Sequence, residues 1–475
     1  MQKPEYGATD LAVWSRGVWT SPPALPLEGI STDTRTLQPG NVYVALKGES
    51  FDGHAFIEAA FDRGASAAIV ETAWAAKGHL KRPFLAVSDS KQALMSIARG
   101  YRATLPIRIT AVTGSVGKTS VKEMAADVLA RIDKTARTRG NWNNDIGTPL
   151  SILGVTPDAK LGVFEVGMNH PGELAPLCDM LKPTCGIITT IGPVHLEFFP
   201  SVEAIAVEKA TVFASLPSHG MAVISKDEKY FDVVAKYAKC RLLTTSLAGD
   251  ADYVARRFED SLSFTVEERA TGETATFDSP LPGEYVVSNA LLAIALGRAH
   301  GVAWADLVET IAAYKPLYLR WQAETRDGVE FINDAYNANP VSMRASIRAF
   351  GEHRVPGLRW LVLAGMRELG ATEEDEHRNL GRDLASGSWG GLVTVGKAGH
   401  WIGEGAMAAG MKSGQVHSCM DAAGAAHRLR ELVKPGDAVL LKASRGEHLE
   451  DVVNAWNHQH TIHKAAKAAT HVICI

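Results

Sequence analysis

The sequence predicts an α/β protein of three domains, on three observations. At 475 residues the chain exceeds one ordinary core, since domains run to about 100–200 residues. Short apolar strand candidates alternate with helical patterns through two separate blocks, which implies mostly parallel sheets covered by helices. A β-branched run, Ile107–Val112, leads straight into Thr113-Gly114-Ser115-Val116-Gly117-Lys118-Thr119-Ser120 and then into a helical pattern. The expected division is 1–106, 107–322 and 323–475.

The first block is mixed. Asn41–Leu46, Ala67–Val70 and Phe84–Val87 read as strands and Ala55–Arg63 as a helix. In the second block, Val121, Met124, Ala125, Val128 and Leu129 recur at helical spacing after the glycine turn. Gly162–Val166, Gly186–Thr190 and Met221–Ser225 follow as buried-strand candidates. The third block repeats the habit. Its strands are Val329–Asn333, Trp360–Ala364, Leu392–Val395 and Ala438–Leu441, with helices over Ser342–Phe350 and Asp421–Val433. No repeat or low-complexity stretch interrupts this order. The tail after Trp456 carries His458, His460 and His463 and reads as a polar surface terminus in preference to a metal site.

The glycine turn between strand and helix is a phosphate cradle. Gly114, Ser115, Val116 and Gly117 offer backbone N–H groups, the dipole of the following helix favours an anion, and Lys118 adds a cation. Thr119 can offer its hydroxyl to Mg²⁺, with Ser120 beside it. Val112 stands where the usual phosphate-loop pattern has its first glycine, so the loop is a shortened variant. A nucleoside-triphosphate site, with ATP as its occupant, is expected here. Glu165 ends a strand, and ligands bind beyond strand carboxyl ends in open α/β sheets, so it is a candidate Mg²⁺ ligand. His195 follows a Gly-Pro turn on the same edge; by itself it reads equally as a structural histidine. Lys209, on pattern alone, reads as a solvated helical lysine. Two polar runs, Gly140–Pro149 with Asn143 and Asn144, and Asp334–Pro340 with Tyr336, Asn337 and Asn339, suit recognition of a sugar or amide, although turn chemistry also uses these residues.

Composition narrows the class. Hydrophobic residues at 46% and charged residues at 21% suit a globular protein, and a net charge of −4 argues against broad nucleic-acid binding. Five scattered cysteines form neither a CxxC pair nor an even framework, so reduced thiols are expected. The polar first residues are no secretory signal and no run approaches the roughly 18 apolar residues of a membrane span. A cytoplasmic location without membrane insertion is the expectation.

Taken in order, these runs resemble the Mur ligases, the ATP-dependent amide-forming enzymes of peptidoglycan precursor synthesis. The resemblance begins at Asp33-Thr34-Arg35, Pro39–Gly48 and Phe51-Asp52-Gly53-His54, similar to the family's UDP-sugar-binding first domain. It continues through the phosphate loop, Ile146-Gly147-Thr148-Pro149, Glu165–His170, His195 and Lys209. It ends with Asp334–Pro340, similar to the signature of the member that adds D-alanyl-D-alanine, and with Lys442-Ala443-Ser444-Arg445. Departures are Tyr285-Val286 where the family has His-Asn, Ala364-Gly365-Met366 where it has Gly-Asp-Met, and Thr211 where many relatives have glutamate.

The resemblance implies a UDP-muramoyl-peptide-binding first domain, a central ATPase and a Rossmann-like third domain. It implies a chemistry too: D-alanyl-D-alanine joined to UDP-N-acetylmuramoyl-tripeptide through an acyl phosphate, with ATP and Mg²⁺; a monomer is the default expectation. Lys118 would hold the β/γ-phosphates; Thr119 and Glu165 would bind one Mg²⁺; His195 and a carbamylated Lys209 would support a second. Arg320 would reach the phosphates from the hinge, Asp334 would face the nucleotide from the third domain, and Asn289 would remain on the adenine side. Thr34, Arg35, Lys47, Asn143, Asn144, Tyr336, Asn337 and Asn339 would contact the substrates. The alternatives are the family member that adds the third amino acid and a nucleotide-binding regulator without turnover.

Overall fold

The computed structural model describes residues 4–23, 26–48, 51–78, 82–258 and 261–456. The histidine-bearing tail and Cys474 lie outside the described residues. Among those described, no helix is long and apolar enough to cross a membrane.

The N-terminal unit is built on a five-stranded sheet in the order Val18–Trp19, Phe84–Val87, Ala67–Glu71, Val42–Val44, Ile30–Ser31, parallel except at its first pair. The stretch expected as one helix over 55–63 is a 3₁₀ turn, Gly53–Phe56, followed by a short α-helix, Ile57–Asp62. A long helix, Ser90–Thr104, starts where the Asp89 carboxylate accepts from the Gln92 N–H. Its apolar face, Ala93, Leu94, Ile97, Ala98 and Tyr101, shares one core with Ile152 and Leu177 of the central unit. The Tyr101 hydroxyl donates to the Val155 carbonyl at 2.6 Å, and Arg102 Nε to that of Leu181 at 2.7 Å. The first two units are therefore welded by a common apolar interior as well as by the chain.

The central sheet has nine strands. Six run parallel to Arg108–Thr113, which lies between Leu161–Glu165 and Cys185–Ile188. Chain order reverses direction across this strand, so its carboxyl end opens a crevice. The sheet is mostly parallel, as expected, and only its far edge is antiparallel. Tyr253–Arg257, Ser263–Glu268 and Glu273–Asp278 form an antiparallel meander. The connection through Thr271 and Gly272 is too short for a crossover, and a short link can only return the chain antiparallel. The side chains alternate accordingly: Phe264 and Val266 are buried, and Phe264 stacks on Phe277 at 5.3 Å. Helix Glu284–Ala299, buried along most of its length, packs on the phosphate-loop helix Lys118–Leu129.

The third sheet has six strands in the order Gln322–Arg326, Val329–Asn333, Ala438–Lys442, Arg359–Leu363, Gly391–Val395, Val416–Cys419. All are parallel except the first, an edge strand not foreseen from the sequence. It turns back through Asp327 and Gly328, both with positive φ, which suits a two-residue hairpin.

Candidate active site

One cavity of about 1060 Å³ gathers the phosphate loop, the end of strand Leu161–Glu165, loop 194–195 and the facing edge of the third unit. The loop itself is glycine-dependent at two places. A Cβ on Gly114 (φ +151°) would lie 1.9 Å from Thr189 Oγ1, and one on Gly117 (φ +88°) 2.6 Å from Asn289 Oδ1. Ser115 Oγ donates to the Gly192 carbonyl at 3.1 Å and accepts from its N–H at 3.0 Å. Val116 bridges to Thr190. These bonds clamp the loop onto the chain segment leading to His195.

Lys118 folds back so that Nζ donates to the Gly114 carbonyl at 2.8 Å. Burial lowers its proton affinity most; Arg320 lowers it further and Glu165 opposes both. Arg320 Nη2 donates to Thr119 Oγ1 at 3.0 Å, and its guanidinium lies 4.2 Å from the Tyr336 ring centroid. Arg320 thus touches the phosphate loop. Its neighbours Leu319 and Trp321 both hold left-handed backbone, unusual for bulky residues and the kind of strain that gathers at functional sites.

Glu165 is 1% exposed. Oε1 accepts from Asn143 Nδ2 at 2.6 Å, whereas Oε2 is buried with no hydrogen-bond partner. A buried carboxylate oxygen without a partner is costly, and a cation satisfies it. Among the described residues no cluster of three or more His, Cys, Asp or Glu is arranged to cage a metal. A magnesium site does not need one, because Mg²⁺ takes one or two carboxylates and completes its shell with phosphate and water. Thr119 and Glu165 therefore suit such an ion. Lys209 is 2% exposed, not solvated as its pattern suggests, and its proton affinity is pushed far down by burial first and by Lys118 second. His195 Nδ1 lies 2.5 Å from Glu368 Oε2 of the third unit.

The polar runs divide. Asn143 orients Glu165, while Asn144 lines the cavity and its Oδ1 accepts from the Gly147 N–H at 2.8 Å, at the start of helix Gly147–Leu153. Asn339 likewise is the N-cap of helix Pro340–Glu352, in a reciprocal capping box with Ser342. Asn337 Oδ1 accepts from the adjacent Ala338 N–H at 2.9 Å. Asp334 is engaged by a buried lysine: Lys442 Nζ sits 2.7 Å from its Oδ2, and the Trp321 N–H donates to its Oδ1. Asn289 packs against Gly117, and the neighbouring Tyr285 lines the cavity with its phenol proton held by burial. Ser120 and Tyr314 both line the cavity. Thr34, Arg35 and Lys47 are absent from this cavity; Arg35 is exposed and pairs with Asp33 at 2.7 Å. From the first unit the cavity instead meets Asp89, Lys91, Gln92 and Met95 at the start of helix Ser90–Thr104. Glu368 and Lys442 were not singled out as site residues from the sequence. Both lie in runs similar to family motifs, but their partners are remote in the chain.

A phosphate loop facing a second α/β unit across Arg320 defines a multidomain nucleotide-using protein. Three family models match in order: "Mur ligase family, catalytic domain" at 26–102, "Mur ligase middle domain" at 112–297 and "Mur ligase, glutamate ligase domain" at 319–445. The UDP-N-acetylmuramoyl-tripeptide–D-alanyl-D-alanine ligase of Bacillus subtilis is 33% identical, over 90% of this chain and 92% of its own length. A crystal structure of MurF from Acinetobacter baumannii superposes with a TM-score of 0.86 at 28% identity, covering 96% of this chain and 99% of that one. MurF ligase from Thermotoga maritima, solved in complex with ADP, gives 0.77 at 28% identity over 90% and 97%. The chain belongs to the Mur ligase family and is an ATP-dependent peptide ligase.

Proposed function

We propose that the chain joins D-alanyl-D-alanine to the free carboxylate of UDP-N-acetylmuramoyl-tripeptide, giving the UDP-muramoyl-pentapeptide. The observation that carries this reading is the single cavity in which the phosphate loop and Glu165 face Arg320, Tyr336 and the Asp334–Lys442 pair. The named activity of the Bacillus subtilis relative, matched over nearly its whole length, supports the choice of substrates. ATP and a UDP-linked acceptor both belong to the cytoplasm, and a monomer suffices because one chain supplies both walls of the site.

The reading divides the work among residues 1–106, which anchor the UDP-muramoyl peptide through Thr34, Arg35 and Lys47; 107–322, which bind ATP; and 323–475, which bring the amine. Thr119 and Glu165 would hold one Mg²⁺, and His195 with Lys209 a second. Bound there, the ions neutralise phosphate charge and polarise the transferring group. Burial suppresses protonation of Lys209, so its neutral amine can add carbon dioxide, release a proton and become a carbamate anion. Lys118 and Arg320 bracket the phosphates and stabilise the charge that develops on transfer.

The tripeptide carboxylate takes the γ-phosphoryl group, leaving ADP and an acyl phosphate. The amine of the dipeptide then attacks the acyl carbon, loses a proton, and inorganic phosphate departs. Closure of the third unit on the central one excludes water that would otherwise hydrolyse the acyl phosphate.

Phosphate release from ATP with UDP-N-acetylmuramoyl-tripeptide, with and without D-alanyl-D-alanine, tests this, with mass spectrometry of the product. Release that requires both, with a product heavier by one dipeptide residue, is expected. Turnover only with a UDP-muramoyl dipeptide and a free amino acid would transfer the chain to the preceding step. Absence of turnover with either set would leave a nucleotide-binding regulator.

A further inference from the structure

The loop carrying His195 is held from two sides. On the central side, Ser115 Oγ bonds both backbone groups of Gly192, and the Glu228 carboxylate accepts from the Ile191 N–H at 3.0 Å. On the other side it is docked onto the third unit at three points. A Cβ on Gly192 would lie 2.6 Å from Val341 Cγ2, His195 Nδ1 is 2.5 Å from Glu368 Oε2, and a Cβ on Gly370 would lie 3.4 Å from the Glu197 Cα. The segment presenting Glu368 is itself braced: the Met366 N–H donates to His377 Nε2 at 2.8 Å, and the Arg367 N–H to Ser444 Oγ at 3.0 Å.

Two features distinguish the His195–Glu368 contact from an ordinary ion pair. Both residues adopt left-handed backbone, with φ of +55° and +62°. Two such conformations in non-glycine residues cost more than a half-exposed ion pair returns, so the fold maintains them for another reason. The contact also uses a particular ring atom. A carboxylate can only accept, so Nδ1 carries the proton of this contact, and in the neutral imidazole the Nε2 lone pair is available to a cation. That is the arrangement found where a carboxylate fixes the tautomer and orientation of a metal-ligating histidine.

We infer that Glu368 is a positioning residue for His195, contributed by the third unit, so that the cation site of the central unit is completed only when the two units are docked. The inference rests on His195 being a cation ligand. By linkage, whatever factor docking adds to cation affinity the cation returns to docking. Ions and nucleotide would then favour the closed form through Glu368, and the shut site would coincide with the loaded one.

The test is Mn²⁺ binding to the full chain in saturating ADP, followed by electron paramagnetic resonance, for wild type, Glu368→Ala, Glu368→Gln, His195→Ala and the His195→Ala/Glu368→Ala double variant. Loss of an outer carboxylate behind a ligating histidine weakens metal binding by about 10–100-fold. The expected result is a loss in that range for Glu368→Ala, with recovery in Glu368→Gln, whose amide oxygen still accepts from Nδ1. No further loss should appear on adding Glu368→Ala to His195→Ala. Small-angle scattering should show Mn²⁺ and ADP compacting the wild type more than Glu368→Ala. If His195→Ala binds Mn²⁺ as the wild type does, the ligand role of His195 is wrong. If His195→Ala is weak but Glu368→Ala is normal, or if the two losses add, the positioning role is overturned. Fluorescent ADP binding without metal reports whether each variant retains its nucleotide pocket.

Discussion

The two walls of the cavity are built on different principles. The central wall is local: a strand, eight consecutive residues and a helix create the anion cradle, and Glu165 ends the neighbouring parallel strand. The third-unit wall is assembled from remote pieces. Asp334 and Lys442 are paired across 108 residues, and Glu368 meets His195 across 173. Backbone geometry therefore makes one wall a property of a short segment, while the other exists only after strands Val329–Asn333 and Ala438–Lys442 pair in parallel. Disrupting the first should abolish chemistry and spare the fold; disrupting the second should damage both.

The sharpest contrast comes from Lys118→Ala. Among the described residues its ammonium bonds only backbone carbonyls, so thermal stability should hardly change. Phosphate release should fall about a thousandfold, the scale for losing a preorganised charge-stabilising donor. Similar melting with large loss of turnover confirms the local wall; an unfolded variant would break the comparison.

Lys442→Met probes the other wall. It leaves the Asp334 carboxylate without its buried partner, and breaking such a pair costs about 3–5 kcal/mol. Urea unfolding should show the loss in the C-terminal unit, together with reduced turnover. A variant of unchanged stability would mean that the pair does not organise this wall.

Lys209 carries the comparison into the core of the central wall. Lys209→Arg keeps a cation that cannot become a carbamate, and kcat should drop about a hundredfold, near the upper limit for disturbing a metal's surroundings. Depleting carbon dioxide should mimic it in the wild type. The sign with pH follows from the buried amine: its lowered proton affinity leaves it neutral at a lower pH than an ordinary lysine. Carbamate formation releases a proton, so acidification should remove the activity and added bicarbonate should restore it. Insensitivity to both would argue against the carbamate.

The smallest effect is expected at Asn339. Asn339→Ala removes an N-cap, about 1 kcal/mol, and should lower the unfolding midpoint slightly while leaving the KM for D-alanyl-D-alanine nearly unchanged. A large rise in that KM would restore the substrate role assigned to Asn339 from sequence.

What was legible in the chain follows the same division. Strands such as Phe84–Val87, Met221–Ser225 and Val329–Asn333 match their apolar runs, because a buried parallel strand needs only a short β-branched segment between turns. The antiparallel meander Tyr253–Asp278 and the edge strand Gln322–Arg326 were missed, since partly exposed edge strands carry weak apolar patterns. Asn144 and Asn339 each spend Oδ1 on a backbone N–H while still lining the cavity, a local bond that the sequence did not distinguish from ligand recognition because both use the same amide. Lys209 looked solvated because a single lysine on a helix says nothing of what packs against it.

By itself the sequence determined the phosphate cradle, the α/β class and the family, because each rests on short-range spacing of residues whose backbone and hydrogen-bonding demands are local. Tertiary structure decided which side chains face one another: the orphaned oxygen of Glu165, the burial of Lys209, the Asp334–Lys442 pair and the carboxylate that Glu368 offers to His195. Distance between side chains, and the loss of water around them, arises only when sheets and units pack, and it is these that set charge and proton affinity.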